Sequence, residues 1–466
     1  MLWFVRLIFC LWLSVIGTAA LAHAAEQGFV LLLPTNLYIA GGTLTVAVTL
    51  GLVGLVRHPT IRQLFHPITL ARGGIPTLGR NAVSGMTSVI VLCLCGLGFW
   101  GPTDPLSNLL PLTIWTVWWI GFVALVGFLG NLWLWLNPWT GIFETLFGKA
   151  KPILPYPVWL QSWPAVCLLV GFNIFAIADI APSDPRRLAG VVLAYWTFTL
   201  VGMRLFGPVI WLTRVEFFSV MFSLIGRLAP VQCATRMRIG FPGWAATLIR
   251  RPDASTAVFC IVLLGSGSFD GLHKTFWWMA QIGINPLEYP GRSAVFLPST
   301  SGLVGANVLL VLVFVLACGV GVVLVAQFGT TRLSTIRTSC ALSLSILPIA
   351  LGYHIAHFLP SFLVQIQYFL LALADPMGRG ATMFGLPAFE VTTGFLSHPQ
   401  SVRTIWLTQA GAVVLSHVLA VLVAHRIAGR IAPKGMDALL LQVGVSILMV
   451  IYTIFGLWLL ASPRGA

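Results

Sequence analysis

Charged residues are scarce in this sequence of 466 residues, and their scarcity decides the class of protein. Only 8% of the residues are charged, whereas 58% are hydrophobic and the mean hydropathy is +0.95. A water-soluble chain of this length needs many more polar side chains to cover its surface. The sequence therefore predicts an all-α polytopic membrane protein, for which lipid is the main solvent.

Signatures of several common enzyme classes are also missing. The sequence has no Walker loop, no H-E-x-x-H motif, no G-x-S-x-G motif and no dinucleotide-binding fingerprint after a strand. ATP-driven transport and serine hydrolysis lose support accordingly. Cysteine is infrequent as well. Of the eight Cys, Cys10 lies in the N-terminal segment, and the others fall in apolar spans or on the predicted cytoplasmic side, where disulfides are not expected.

The first 24 residues have the layout of a cleavable secretory signal. Arg6 supplies a positive charge, an apolar run follows, and small residues end the segment. Two cleavage sites compete, Ala20-Leu21-Ala22 and Ala22-His23-Ala24. The first would leave His23 as an N-terminal residue able to bind copper, and an ordinary exported terminus is the alternative. Residues 25–466 are predicted to form a single polytopic membrane domain.

Ten apolar stretches are long enough to cross a hydrocarbon core, which takes roughly 20 residues. If the mature N-terminus is external, the internal loops hold seventeen Lys and Arg and the external loops hold seven. The positive-inside rule then predicts periplasmic termini and a bacterial inner membrane. The stretches lie near residues 35–56, 84–101, 110–136, 161–180, 188–212, 256–272, 302–327, 341–372, 404–425 and 438–460.

The loops explain the net charge of +14 without a nucleic-acid partner. The charge is spread over loops that would face the anionic cytoplasmic leaflet, so we interpret it as topological. Three polar connections are substantial, 213–255 inside and 273–301 and 373–403 outside. None of them is long enough for a soluble domain.

Polar residues inside the membrane concentrate on two spans. On the stretch 341–372, which Pro348 and Pro360 are predicted to kink, four polar residues at offsets of 3, 4 and 4 form one helical stripe. They are His354, His357, Ser361 and Gln365. On the next span, His417 is predicted at the same depth as the two histidines of the stripe.

Three imidazoles at one depth could bind a divalent metal ion such as Zn²⁺ or Cu²⁺ and leave a coordination position open for water. The metal would acidify that water and supply a nucleophile. Other interpretations of His354, His357 and His417 stay open. The histidines could hydrogen-bond between helices or relay protons, line a translocation path, or ligate haem axially.

Three carboxylates at the external ends of spans are candidate catalytic residues. Asp104, Asp270 and Asp375 could each complete a metal site or act as a general base. Asp-Pro is also a common turn, which offers a structural explanation for Asp104 and Asp375. Asp270 lies in an apolar helix end with His273 close behind, so it is the stronger functional candidate.

Several motifs resemble the integral-membrane fenitrothion hydrolase family, over about residues 98–425. They are Gly98-Phe99-Trp100-Gly101-Pro102-Thr103-Asp104-Pro105, Asn137-Pro138-Trp139, Glu216 with Phe218-Ser219-Val220, Phe269-Asp270-Gly271, Tyr353 with Ala356-His357, Gln365, Gln367 and Asp375-Pro376. The resemblance implies a membrane-bound enzyme that hydrolyses aryl organophosphate triesters, with a second membrane subunit as a further partner. It carries over the motif positions Asp104, Glu216, Asp270, His357, Gln365 and Asp375.

The leading hypothesis is therefore a metal-assisted phosphotriester hydrolase of the inner membrane, acting on an apolar substrate that partitions into lipid. In it His354 and His357 bind the metal, His417 or Asp270 completes the ligand set, and a remaining carboxylate is the base. The alternatives are a transporter of a metal ion or small solute that uses the same histidines, and a haem-binding or assembly subunit.

Overall fold

A computed structural model of the protein describes residues 33–56, 58–72, 77–148, 150–233, 236–285, 291–380 and 390–463. The predicted signal and the alternative N-terminus at His23 lie outside the described residues. The described chain is helical apart from three short strands, and its apolar helices are long enough to cross a membrane. These features confirm the predicted all-α polytopic membrane class.

Sixteen helices of six residues or more make up most of the described chain. In chain order they are α1 (Thr35–Leu55), α2 (His58–Leu64), α3 (Thr77–Trp100), α4 (Leu109–Leu129), α5 (Thr140–Phe147), α6 (Trp163–Ala178), α7 (Pro185–Phe206), α8 (Pro208–Arg214), α9 (Phe217–Ile225), α10 (Ala254–Leu272), α11 (Phe276–Gln281), α12 (Arg292–Phe328), α13 (Thr335–Leu342), α14 (Leu347–Ala374), α15 (Pro399–Ile431) and α16 (Gly435–Ala461).

Nine helices of the described ranges have the length and composition of a membrane span, with α13 and α14 counted together. All but one of the ten predicted stretches correspond to these nine. The exception, 161–180, forms α6, an apolar helix of only 16 residues. The helices α8 and α9 form a further pair with a bend of 66°, which brings the number of spans to ten if the pair is one broken span.

The helix α9 corrects the prediction that 213–255 is a polar connection. Its nine residues are apolar or hydroxyl-bearing, and seven of them are buried. Glu216 starts the helix by accepting hydrogen bonds from the backbone N–H groups of Phe218 and Ser219. A run of nine residues is too short to score as a membrane span, so the sequence pattern assigned it to the loop.

Two membrane helices are irregular. The segment Leu112–Phe122 of α4 is a π-helix of 11 residues. The π-helix is rare in proteins, and where it occurs it often lies at a functional site. A 3₁₀ turn, Ser343–Ile346, joins α13 to α14, and Pro348 occupies the first turn of α14. The interruption of the predicted long span therefore falls beside Pro348, whereas α14 runs through Pro360.

A small antiparallel sheet joins two segments that the sequence predicted on the same side of the membrane. Its strands are β1 (Ile68–Arg72), β2 (Val231–Cys233) and β3 (Arg236–Ile239), in the order β1-β3-β2. Ile68 pairs with Ile239. This pairing requires both loops to lie at the same end of the helices, as predicted.

Close contacts at glycine residues fix the position of α12 against α16. Cβ atoms built on Gly321 and Gly444 would lie 2.1 Å from the carbonyl oxygens of Leu441 and Ala317, so α12 and α16 touch backbone to backbone. Small residues allow such approach in membrane helices, where lipid offers no hydrophobic driving force between them. The helices α10 and α14 also pack against each other, and these two helices carry the candidate site.

Candidate functional site

A cavity of about 330 Å³ lies among α4, α6, α10 and α14. Its size falls within the range of about 300 to 1,000 Å³ that is typical of small-molecule sites. Aliphatic residues and a few aromatic residues supply most of the wall, and polar and charged side chains share it. The polar and charged lining residues are Asn173, Ser183, Asp270, Lys274, Arg292, Tyr353, His354, His357, Ser361 and Gln365.

Asp270 lies at the centre of the charged part of this wall. Its Oδ2 is 2.9 Å from Nε2 of His357, and its Oδ1 is 3.0 Å from Nζ of Lys274. Nδ1 of His273 lies 3.8 Å from Oδ1. The Asp270 side chain is only 15% exposed and that of His357 only 3%, so the pair is shielded from solvent. A hydrogen bond to a carboxylate in such surroundings is stronger than one at a protein surface.

The backbone of α10 explains how Asp270 reaches α14. Gly271 follows Asp270, and the hydroxyl of Tyr353 occupies the space where a side chain at this position would begin. The ring of Tyr353 lies nearly parallel to that of His357, with centroids 5.7 Å apart and an interplanar angle of 9°. Gly271 therefore permits the close approach of α10 and α14 that places Asp270 beside His357.

The hydrogen bonds assign a tautomer to both histidines of the stripe. Nε2 of His357 donates to the Asp270 carboxylate, so in the neutral form of the ring Nδ1 is the basic nitrogen. Nε2 of His354 donates to the carbonyl oxygen of Trp119 at 3.0 Å. Trp119 belongs to the π-helical segment of α4, so this irregular segment supplies the acceptor that orients His354.

The four residues of the predicted polar stripe all line the cavity. Besides the two histidines, Oε1 of Gln365 accepts a hydrogen bond of 2.9 Å from the hydroxyl of Thr116, which connects the stripe to α4. The structure thus brings together His354, His357 and Asp270. It leaves three other predicted site residues outside the cavity lining.

Asp104 and Asp375 hold local turns. The carboxylate of Asp104 accepts hydrogen bonds from the backbone N–H of Leu106 at 3.2 Å and the hydroxyl of Ser107 at 2.7 Å. Asp375 accepts from the backbone N–H groups of Arg379 and Gly380, at 3.0 and 2.6 Å. Neither residue lines the cavity. Their geometry fits the structural explanation of the two Asp-Pro sequences.

His417 lies buried within α15 and does not line the cavity. Its Nδ1 donates to the carbonyl oxygen of Val413 at 2.8 Å. Among the described residues, no three His, Cys, Asp or Glu side chains are placed so that they could hold a metal ion. The Zn or Cu ion and the haem alternative stay predictions.

Two cations of the site were missed by the sequence analysis, which counted Lys274 and Arg292 only as external loop charges. Lys274 follows Asp270 by four residues, a spacing that does bring side chains together at a helix end. Arg292 donates to the carbonyl oxygens of Asp179, Ala176 and Ile177 at 2.8, 3.2 and 2.9 Å. No local sequence signal shows that it reaches the end of α6.

His273 remains neutral beside this cluster. Burial, with a smaller contribution from the adjacent Lys274, lowers the pKa of His273 to about 4. Its Nδ1 lies 3.2 Å from the carbonyl oxygen of Phe269, to which it donates. Apart from the histidines, the charged groups on the cavity wall are one carboxylate, Asp270, and two cations, Lys274 and Arg292.

Comparison with protein families, with curated proteins and with solved structures finds no match. The resemblance to the fenitrothion hydrolases rests on the motifs in the sequence. Of those motif positions, the structure gathers Asp270, His357 and Gln365 around one cavity.

Proposed function

We propose that this chain is a membrane hydrolase of apolar aryl organophosphate triesters such as fenitrothion. The observation that supports it is the contact of Asp270 with both His357 and Lys274 on the wall of a cavity large enough for such a molecule. An Asp-His pair is a common general base, and a neighbouring cation can stabilise charge that develops on the substrate.

In this mechanism His357 takes a proton from water as the water oxygen attacks phosphorus. Asp270, which accepts the Nε2–H of His357, fixes the ring and stabilises the imidazolium that forms. Lys274 and Arg292 stabilise the negative charge that develops on the substituents of phosphorus. The bond from phosphorus to the aryl oxygen breaks, and the leaving aryloxide takes up the proton that His357 accepted from water. The products are a nitrophenol and a dialkyl thiophosphate, and His357 returns to its starting state.

The aromatic wall suits the apolar part of such a substrate. Trp115 and Trp119 of α4 and Phe358 of α14 line the cavity next to the charged cluster. A triester of this kind partitions into lipid and can approach between helices. Aromatic contacts would hold the aryl ring while the charged groups meet phosphorus.

We place the protein in a bacterial inner membrane, with the cavity nearest the periplasmic face. The distribution of Lys and Arg among the loops supports this orientation. Ser183, Lys274 and Arg292 all belong to segments that lie outside in that orientation, and all three line the cavity. A second membrane subunit remains part of the proposal, through the family resemblance alone.

The test is nitrophenol release from fenitrothion by membranes that contain this chain. Asp270→Asn and His357→Gln should each lower the rate by about 100-fold or more, because general-base catalysis contributes on the order of 10² to 10⁴. Asp104→Asn is the matched control, since it makes the same change in an exposed turn outside the cavity. Equal losses in Asp104→Asn and Asp270→Asn, or no release by well-inserted wild-type protein, would contradict the proposal.

The predicted metal is tested in the same assay with a strong chelator. Release that falls with the chelator and returns with added Zn²⁺ or Cu²⁺ would give a metal ion a part in the reaction. Release that is unchanged would leave the chemistry with Asp270, His357 and Lys274.

A second candidate function is transport of a small anionic solute. Two cations against one carboxylate give the cavity wall a net positive charge, which favours an anion over a metal ion. The π-helical segment of α4 and the broken pair of α8 and α9 are irregularities of the kind that transporters use. Uptake into proteoliposomes without turnover of fenitrothion would favour this function.

A further inference from the structure

A second cavity lies at the opposite end of the helices, on the side predicted to be cytoplasmic. Its volume is about 540 Å³, and it is formed by α2 and the C-terminal end of α15. Its polar lining residues are Arg62, Gln63, His66 and Arg426. The wall contains two arginines and a histidine but no acidic residue, a combination that needs an explanation.

The short helix α2 is held firmly enough to present these side chains in a fixed place. Ile61 and Phe65 are 4% and 3% exposed, so one face of α2 is buried. Phe65 packs edge to face against Phe241, with ring centroids 5.4 Å apart. The strand β1 follows α2 and pairs with β3, which ties the other end of the segment to the protein. Arg62 is exposed and lines the cavity next to the buried face of α2.

Arg62 and Arg426 face the same cavity and are close enough for their charges to repel. In the described part of the chain, no carboxylate lies within ion-pair distance of either residue. Nε of Arg426 is buried and has no hydrogen-bond partner among the described residues. Two like charges and a buried unbonded donor are unfavourable unless an anion approaches them.

Two other arginines on the same side, Arg214 and Arg430, are neutralised or bonded within the protein. Arg214 pairs with Asp253 at 2.6 Å. Arg430, one turn after Arg426, donates to the carbonyl oxygens of Thr247 and Ile249. The positive-inside rule accounts for the presence of all these residues, but it does not explain why Arg62 and Arg426 converge on a cavity without an internal acceptor.

We propose that this cavity binds a phosphate group, that of an anionic phospholipid at the cytoplasmic face. Guanidinium groups recognise phosphate through paired hydrogen bonds, and Arg62 and Arg426 supply two such groups. Gln63 and His66 offer further donors on the same wall. Basic pockets between membrane helices on this side commonly hold anionic lipid headgroups, whose acyl chains stay in the bilayer.

The test measures how purified protein retains phosphatidylglycerol relative to phosphatidylcholine, by native mass spectrometry. A second measurement compares the midpoint of thermal unfolding with added phosphatidylglycerol vesicles and with added inorganic phosphate. The variants are Arg62→Gln, whose exposed side chain makes misfolding unexpected, and the double variant Arg62→Gln/Arg426→Gln. The double variant Arg332→Gln/Arg337→Gln removes the same charge from the same predicted side, outside the cavity, and serves as the control.

The expected result is that Arg62→Gln weakens phosphatidylglycerol retention about fivefold and the cavity double variant about 25-fold, because each basic residue near an anionic surface contributes on the order of 1 kcal/mol. The control should retain the lipid. Stabilisation by phosphatidylglycerol alone identifies a lipid headgroup, whereas equal stabilisation by inorganic phosphate identifies a soluble phosphate. Equal retention by wild type and both cavity variants, or an equal loss in the control, would overturn the proposal.

Discussion

Replacing Gly271 with alanine should damage the candidate site without removing any of its functional groups. A Cβ atom at this position would lie 2.0 Å from the hydroxyl oxygen of Tyr353. An ordinary contact begins at 3.4 Å, so Tyr353 or α10 has to move by 1.4 Å. Tyr353 is only 3% exposed and cannot swing into solvent. The displacement therefore passes to its neighbour His357, whose ring lies parallel to that of Tyr353.

The magnitude follows from this displacement. Overpacking of a buried contact costs about 1 to 3 kcal/mol, and a misplacement of about 1 Å can lower an enzymatic rate by about 100-fold. Gly271→Ala should accordingly lower the thermal midpoint and nitrophenol release together. The hydrogen bond of 2.9 Å between Asp270 and His357 is the contact that the displacement lengthens.

Gly267→Ala is the matched control, one helical turn earlier on α10. Its Cβ atom would lie 3.8 Å from Cδ1 of the same Tyr353 ring, which is an ordinary contact. Alanine is about 0.5 to 1 kcal/mol better than glycine inside a helix, so the control should be neutral or slightly stabilised. If Gly271→Ala matched Gly267→Ala in both stability and rate, the close approach of α10 and α14 would not support the site as argued.

Two further predictions concern stability. Gly321→Ala should destabilise the protein by about 2 kcal/mol or more in thermal unfolding, because the atom that its Cβ meets is a backbone oxygen that cannot rotate away. Gly319→Ala is the control and should leave stability unchanged, because its Cβ meets only a Thr335 methyl group at 3.6 Å. At Asp179, burial opposes ionisation, but hydrogen bonds from Arg187 and the Ala181 N–H outweigh it and lower the pKa. This group therefore stabilises the fold above its unfolded pKa of about 4 and loses that effect as the pH falls through the folded pKa. Asp179→Asn should therefore lose less stability than wild type when the pH is lowered over that range. If both proteins showed the same dependence of stability on pH, the ion pair of Asp179 with Arg187 would not be its cause.

The membrane class and the polar stripe could be predicted because both are periodic properties of the chain. Hydropathy identifies the spans, and a 3.6-residue repeat places His354 and His357 on one face without any knowledge of the neighbouring helices. Asp270 was identified for a related reason, since an ionisable residue in an apolar helix end needs a partner. The sequence could not say that the partner is His357, because that contact spans 87 residues.

The errors and omissions depend on contacts that no local pattern encodes. The helix α9 is too short to be recognised by hydropathy and depends on the cap formed by Glu216 and on burial among other helices. Lys274 and Arg292 were assigned to loops, and a loop position does not show that a side chain folds back over a helix end. Asp104 was a candidate because external carboxylates suit catalysis, but its oxygens already accept hydrogen bonds within a turn.

Charge separates the two candidate functions, and Asp270→Asn is the variant for which they differ. Two cations and one carboxylate line the cavity, so replacing Asp270 with asparagine makes the wall more positive, whereas Lys274→Met makes it electrically neutral. A hydrolase should lose activity in both variants, since it needs the carboxylate to orient His357 and the cation to stabilise charge at phosphorus. An anion transporter should bind its solute at least as well in Asp270→Asn and more weakly in Lys274→Met, because only the second change lowers the attraction for an anion. Solute binding and nitrophenol release measured on this pair of variants would therefore assign the site to one function. Binding that persists in Asp270→Asn, with no turnover by wild type, points to transport. Turnover by wild type that is lost in both variants points to hydrolysis.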